Sequence, residues 1–172
     1  PVSATNGQIL TTNSAVSDGI EWATPAVGGD LFAKAFVTSD QSVNNSTTLT
    51  NATELVFTPT INKTYLVNMW SFLSSSGVAD FKSTFTVPTG CTIKTTAGSP
   101  AFEWTNANDI TLDATTTKTA GQTGNVRFGV WYFLVTMSST AGNVQFQFAQ
   151  QTAEVSNTTM HIGSALLVYE VA

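Results

Sequence analysis

Histidine and cysteine could take part in nucleophilic catalysis or bind zinc, and each occurs once in this chain, as His161 and Cys91. Hydrolytic triads need a histidine as the base, and most zinc sites need at least one. No HExxH or GxSxG motif surrounds His161, which we predict to be a structural or surface residue within the last strand. Since a catalytic Cys91 would need the same histidine, we predict a small, partly buried structural cysteine instead.

Paired carboxylates could hydrolyse glycosidic bonds without a histidine, as in a depolymerase. The closest group of acids is Glu103, Asp109 and Asp113, and their spacing does not place two of them across a sugar cleft. Asn106 and Asn108, with Asp109, could offer oxygen ligands to calcium, but a single carboxylate without EF-hand spacing favours an ordinary turn. We therefore predict that the chain is not an enzyme and has no catalytic residue, metal or cofactor.

Exposed aromatic side chains beside amides are further candidates, because sugar-binding sites use such rings as stacking surfaces. Most aromatic residues of the chain fall in apolar strand runs, where core packing explains them. Trp104 is different, because Glu103, Thr105 and Asn106 surround it. Trp104 is therefore the candidate contact for a glycan.

The composition of the 172-residue chain is unusual for a globular domain. Hydrophobic residues make up 42%, enough for a core, whereas charged residues make up only 10%, against about 25% in an ordinary soluble domain. The net charge is −5 and the six basic residues are scattered, so we expect no binding to nucleic acid. No apolar run reaches the length of about 18 residues that a membrane-spanning helix needs, so we expect no membrane association.

Residues 1–30 are small, polar and glycine-rich. Isolated apolar residues are too few there to build a core, so we predict an extended N-terminal arm that lies on another surface. Residues 31–172 would then be the folded domain. The candidate docking contacts of the arm are Ile9, Leu10, Ile20 and Trp22.

Strand patterns fill the rest of the chain. Apolar and polar residues alternate with a period of two over residues 80–87 and 144–148. Residues 65–73 and 126–137 are apolar on both faces, as expected of central strands covered on both sides. A single closing strand is predicted over residues 160–171. Shorter strands are predicted at 31–38, 54–58, 91–95, 101–105 and 110–112.

About eight to ten strands joined by short turns predict an all-β fold, an antiparallel β-sandwich that is jelly-roll-like. In a monomeric β-sandwich, each sheet exposes one face to solvent, and that face is usually polar. Strands that are apolar on both faces therefore give this chain more apolar surface than a monomeric sandwich can bury. With few charges to oppose self-association, this excess predicts burial between subunits of a homo-oligomer.

The N-terminal segment resembles bacteriophage virion proteins. Residues 6–11 read NGQILT and residues 18–25 read DGIEWATP, which is similar to the "NGQxLT … GxxWxxP" segment that recurs in tail fibres and other phage virion proteins. Residues 39–49, Phe57 and residues 62–65 resemble the opening of β-sandwich domains in the same kinds of protein. The resemblance covers roughly the first 70 residues, with a looser match in strand pattern to the end.

The resemblance implies a virion component, a homotrimer located on the virion surface after assembly in the host cytoplasm. A tail-fibre domain usually follows a fibrous shaft, which this sequence lacks, so a capsid decoration (cement) or head-fibre protein fits better. The arm would then reach onto the major capsid protein, another virion protein or a neighbouring subunit. The alternative is a receptor- or carbohydrate-binding head domain of a tail fibre, with a host surface glycan as its partner.

Overall fold

Every regular element in the described part of the chain is a β-strand. The computed structural model describes the backbone of residues 9–12, 20–23, 31–95, 118–120 and 124–171, and the side chains of residues 31–94 and 124–171. The chain divides into two compact units, Pro1–Asp30 and Leu31–Ala172.

The strands of the second unit are β3 (Leu31–Phe36), β4 (Gln41–Asn44), β5 (Thr50–Phe57), β6 (Thr64–Ser74), β7 (Phe81–Thr86), β8 (Thr92–Thr95), β9 (Lys118–Ala120), β10 (Arg127–Thr136), β11 (Val144–Gln150), β12 (Asn157–Met160) and β13 (Ala165–Glu170).

The first unit contains an antiparallel pair, β1 (Ile9–Thr12) and β2 (Ile20–Ala23), in which Leu10 lies opposite Trp22. No strand is predicted in this segment from the sequence. All four predicted docking residues of the arm lie on these two strands, and their side chains are outside the described residues. A two-stranded ribbon by itself is marginally stable in water.

The second unit contains two antiparallel sheets. The larger has the order β3-β13-β6-β10-β8, with β12 pairing with β6 and with the short strand β4, and the smaller has the order β5-β11-β7-β9. From β5 to β11, successive strands alternate between the two sheets, and β3 lies beside the last strand, β13. This is the strand order of a jelly roll. The predicted all-β antiparallel sandwich is therefore confirmed.

Alternating side chains of the long strands build the core. In β6 the odd-numbered residues, such as Tyr65, Val67 and Met69, are buried, whereas the even-numbered ones point away from the smaller sheet. Phe133 of β10 meets Phe85 of β7 across the sandwich, with ring centroids 4.8 Å apart at 71°. Such edge-to-face contacts fix how the two sheets stack as well as burying area.

The prediction of one continuous strand over residues 160–171 is wrong. This part of the chain forms two strands, β12 and β13, separated by a turn at residues 161–164 that holds Gly163 at φ +89°. A positive φ suits glycine, and the turn leaves Ile162 exposed instead of on the core face. His161 consequently lies in this turn and not within a strand.

The other short strands agree with the prediction to different extents. β3, β5 and β8 overlap the segments predicted at 31–38, 54–58 and 91–95, whereas the segments at 101–105 and 110–112 lie outside the described residues. Strands β4 and β9 of the second unit are additional. Cys91, just before β8, is partly buried, and its Sγ accepts the N–H of Ser138 at 3.3 Å.

Gln150, at the end of β11, is a fully buried amide with four hydrogen bonds. Its Oε1 accepts the backbone N–H groups of Ser46 and Glu154 at 3.1 and 3.0 Å. Its Nε2 donates to the carbonyl oxygens of Glu154 and Ser156 at 3.0 and 2.6 Å. One buried side chain thus supplies partners to backbone groups of two part-buried loops.

Candidate functional site

The outward side of the larger sheet is apolar, although nothing in the second unit's described residues covers it. We call it the outer face and define it by the outward residues of β3, β13, β6 and β10. On β6 and β10, Leu66, Trp70, Phe128, Tyr132 and Leu134 are all between 37% and 46% exposed. An ordinary sheet surface would carry charged and hydroxyl side chains at these alternate positions.

The strand register lines these residues up in rows across the sheet. In one row Tyr169, Leu66 and Leu134 are neighbours on β13, β6 and β10. In the next rows Trp70 lies beside Val130, and Phe72 beside Phe128, whose ring centroids are 5.0 Å apart. The apolar residues are therefore contiguous, not scattered singly over the surface.

Two lysines flank this face, on the edge strands β3 and β8. Lys34 lies on β3 beside Leu167, and Lys94 lies on β8 beside Leu134. Between these lysines, the described residues of β13, β6 and β10 that point outward include no charged side chain other than at the strand ends. An apolar centre within a charged rim is the arrangement found in protein–protein interfaces.

The size of the outer face matches a subunit interface. β3 and β13 have 6 residues each, β6 has 11 and β10 has 10. With strands about 4.8 Å apart and a rise of about 3.4 Å per residue, they give a flat footprint of roughly 540 Å². A standard interface buries about 800 Å² of accessible surface on each partner, and a footprint covered with aromatic side chains has more accessible surface than its flat area. The outer face is thus large enough to hold a second copy of the chain.

Two aromatic rings and an amide lie together in the middle of the outer face. Tyr132 lies directly opposite Asn68, and Trp70 is two residues further along the same side of β6. The Oδ1 atom of Asn68 is buried and has no hydrogen-bond partner. The half-exposed rings of Trp70 and Tyr132 are chemically suited to stacking on a sugar.

Beyond one end of the outer face, three polar side chains form a hydrogen-bonded chain. The Oγ of Ser74, the last residue of β6, lies 2.8 Å from Nε2 of His161. The Nδ1 atom of His161 lies 2.8 Å from Oδ2 of Asp40. Because a carboxylate accepts only, Nδ1 carries the proton in neutral His161 and Nε2 accepts the hydroxyl proton of Ser74.

The backbone fixes this cluster from both sides. The N–H of Ile162 donates to Oδ1 of Asp40 at 2.8 Å, and His161 N donates to the carbonyl oxygen of Phe72 at 2.8 Å. The hydrogen bond from the Ile162 N–H lowers the pKa of the Asp40 carboxyl below its ordinary value of 3.8, and the hydrogen bond from His161 makes the next largest contribution. Asp40 is therefore a carboxylate at neutral pH, oriented by two donors.

Sequence reasoning treated His161 as isolated because none of its partners is near in the chain. Asp40 and Ser74 stand 121 and 87 residues away, and the pairing of β6 with β12 brings them together. No spacing motif signals such a cluster. The prediction that the chain is not an enzyme stays a prediction.

Two other carboxylates are tied to hydroxyl donors. Glu54 accepts the hydroxyl and the N–H of Thr38, at 2.5 and 2.9 Å, and Glu154 accepts the hydroxyls of Ser156 and Ser76. These bonds lower the pKa of both carboxyl groups. Each carboxylate joins two separate segments and is best explained as a structural link.

Several sequence-derived candidates lie outside the described residues. They are the glycan candidate Trp104, the acids Glu103, Asp109 and Asp113, and the calcium candidates Asn106 and Asn108. The described residues contain no cluster of three or more histidine, cysteine, aspartate or glutamate side chains that could hold a metal ion. No helix in the described part of the chain is long and apolar enough to cross a membrane.

Among the solved structures that are similar to this chain are two of infectious bursal disease virus. The infectious bursal disease virus VP2 subviral particle is 10% identical over 94% of this chain, with a TM-score of 0.28. The infectious bursal disease virus Gx strain structure is 11% identical over 93%, with a TM-score of 0.24. This chain spans 45% of the length of either of those chains. No protein-family model and no curated protein sequence matches it.

Proposed function

We propose that this chain is a structural protein of a virus particle that assembles with copies of itself through the outer face. The observation that carries the proposal is the contiguous apolar centre of that face, bounded by Lys34 and Lys94. Exposed apolar patches of this size are rare on soluble monomers and mark interaction sites. Partners of the same sequence fit best, because the net charge of −5 is too small to keep such faces apart.

The finer assignment is a homotrimeric capsid decoration (cement) or head-fibre protein of a bacteriophage, exposed on the particle surface. It rests on the resemblance of residues 6–25 to phage virion proteins. The jelly-roll order of the strands is compatible with it, since viral capsid domains use this architecture. Lectins use the same architecture, so the outer face carries more of the argument than the fold does.

The native mass of the full chain tests this assembly. Light scattering over a wide range of concentrations is expected to give a multiple of 18.2 kDa, with three copies as the first expectation. A mass of one chain at every concentration would contradict assembly through the outer face.

The arm gives a separate test of attachment to the particle. In the full chain, replacing Ile9, Leu10, Ile20 and Trp22 by serine should abolish binding to virus particles while leaving the melting temperature and the native mass unchanged. Each apolar side chain contributes about 1.5–3 kcal/mol when it becomes fully buried, so the loss in affinity should exceed 1000-fold, as about 4 kcal/mol already implies. Co-sedimentation with purified particles measures it, and unchanged co-sedimentation would count against a docking arm.

The second candidate function is a receptor- or carbohydrate-binding head, and the observation that favours it is the pair of half-exposed rings of Trp70 and Tyr132. On this hypothesis, adding purified host surface polysaccharide should change tryptophan fluorescence, and Trp70→Ala should weaken binding about two- to twelvefold, as the loss of about 0.5–1.5 kcal/mol of stacking implies. Leu134→Ala on the same face is the matched control and should leave glycan affinity unchanged. If no polysaccharide changes the fluorescence, this candidate is excluded in favour of self-assembly.

A further inference from the structure

Ser74, His161 and Asp40 have the connectivity of a nucleophile, a base and an orienting carboxylate. The two hydrogen bonds of 2.8 Å are within the range over which a base can accept a nucleophile's proton. Such arrangements are recognised by geometry and roles, and they occur on unrelated folds. The structural role proposed above uses none of these three residues.

We propose that Ser74 is a nucleophile that small carboxylic esters can acylate, with His161 as its general base and Asp40 as the positioning residue. This inference goes beyond the structural role and departs from the sequence prediction of no catalytic residue. It does not depend on whether the chain assembles.

The chemistry balances with the groups present and solvent water. Ser74 Oγ attacks the ester carbonyl carbon while its proton passes to His161 Nε2, which returns that proton to the departing alcohol oxygen. Water then attacks the acyl-serine, its proton again passing through His161, and the carboxylic acid leaves with Ser74 restored. Asp40 stays ionised throughout and holds the imidazole in the tautomer that accepts at Nε2.

The surroundings admit a small substrate and favour an apolar acyl group. The His161 side chain is 22% exposed and that of Asp40 is 50% exposed, so the cluster lies at the surface. Phe72 lies two residues from Ser74 on the same side of β6 and packs against Phe128, while Ile162, next to His161, is exposed. These side chains provide apolar contacts beside the nucleophile.

The turn that carries the base is held rigidly, as a catalytic group requires. Ser164 Oγ donates to the carbonyl oxygen of His161 at 2.9 Å and accepts the N–H of Phe72 at 2.9 Å. The base and the nucleophile's strand are therefore joined by backbone links as well as by the imidazole. Since general-base catalysis supplies about 10²–10⁴-fold, we expect measurable acylation, slower than in a dedicated hydrolase.

A covalent probe tests the proposal in the full chain. Incubation with an alkyl fluorophosphonate should place one phosphonyl group on Ser74, with the P–F bond broken and fluoride released, as shown by intact mass and peptide mapping. His161→Gln should slow labelling by at least about 100-fold. Asp40→Asn should lower the maximal labelling rate without weakening the initial binding of the probe, and its melting temperature should stay near that of the unaltered chain.

Two controls make the outcome decisive. The Ser42→Ala variant should be labelled at the same rate as the unaltered chain. The Ser42 hydroxyl forms its hydrogen bond with the hydroxyl of Thr159, at 2.8 Å, and not with a histidine that could act as its base. A charge-balanced variant of the outer face, Leu66→Lys with Leu134→Glu, should also label normally, which shows that assembly does not hide Ser74. An unlabelled Ser74, or labelling at the same rate in His161→Gln, would overturn the proposal, whether or not the Ser74→Ala variant folds.

Discussion

Replacing Leu66 by lysine and Leu134 by glutamate should convert the assembled chain into monomers without unfolding it. The two leucines lie opposite each other on β6 and β10 of the outer face, 37% and 41% exposed. Fully burying a leucine contributes about 1.5–3 kcal/mol, so covering the part still exposed contributes roughly 0.6–1.2 kcal/mol for each leucine. Because the introduced charges must also be desolvated in the interface, the dissociation constant should rise by at least about tenfold. Sedimentation velocity at matched concentrations measures the shift.

The double variant is designed to keep the sheet intact. Opposite charges at a directly facing cross-strand pair are favourable, and the net charge of the chain does not change. Val155→Glu is the matched control, because Val155 is 79% exposed and lies in the loop between β11 and β12, away from the outer face. If the double variant still assembles, or if Val155→Glu disrupts assembly to the same extent, the copies do not associate through the outer face.

Gln150→Ala should cause a large loss of stability, with the free energy of unfolding lowered by about 3–5 kcal/mol. The substitution removes the partner of the Ser46 and Glu154 N–H groups and of the Ser156 carbonyl oxygen, whereas the Glu154 carbonyl oxygen keeps the N–H of Asn45 at 3.0 Å. Each buried unsatisfied group costs about 1–3 kcal/mol, in part recovered when the loops relax or admit water. Urea denaturation followed by fluorescence measures the change.

Gln147→Ala is the control for Gln150→Ala. Gln147 lies on the same strand, β11, is only partly buried, and donates from its Nε2 to Oδ1 of Asn51 at 2.8 Å. Its removal should cost less than about 1 kcal/mol, as for an exposed hydrogen bond. If the two variants were equally stable, the amide of Gln150 would not be holding the two loops.

The outer face could be predicted from the sequence because strand periodicity is local. Residues 65–73 and 126–137 lack polar alternation, which predicts strands that are apolar on both sides. β6 and β10 bear this out in part: their inward side chains form the core, and their outward ones are left half exposed within the chain. Which partner covers them is a property of a second surface, and one sequence read alone does not contain it.

The serine–histidine–aspartate cluster could not be predicted, for a physical reason. Its members come from the β3–β4 loop, the end of β6 and the turn after β12, and only the order of strands in the sheet makes them neighbours. The reading of residues 160–171 as one strand hid the turn, because His161 and Ile162 fit a strand pattern as well as they fit a turn. Gly163 was the available signal, since an isolated glycine in a strand pattern often marks an interruption.

Hydroxyl-radical footprinting of the full chain tests the central claim most directly, namely that copies of the chain bury the outer face. In the assembled protein, Trp70, Phe128 and Tyr132 should be oxidised several-fold more slowly than in the Leu66→Lys, Leu134→Glu variant, whereas Val78 and Val155, exposed elsewhere, should react equally in both. Equal oxidation of the three aromatic residues in the two proteins would contradict the account, whatever the native mass.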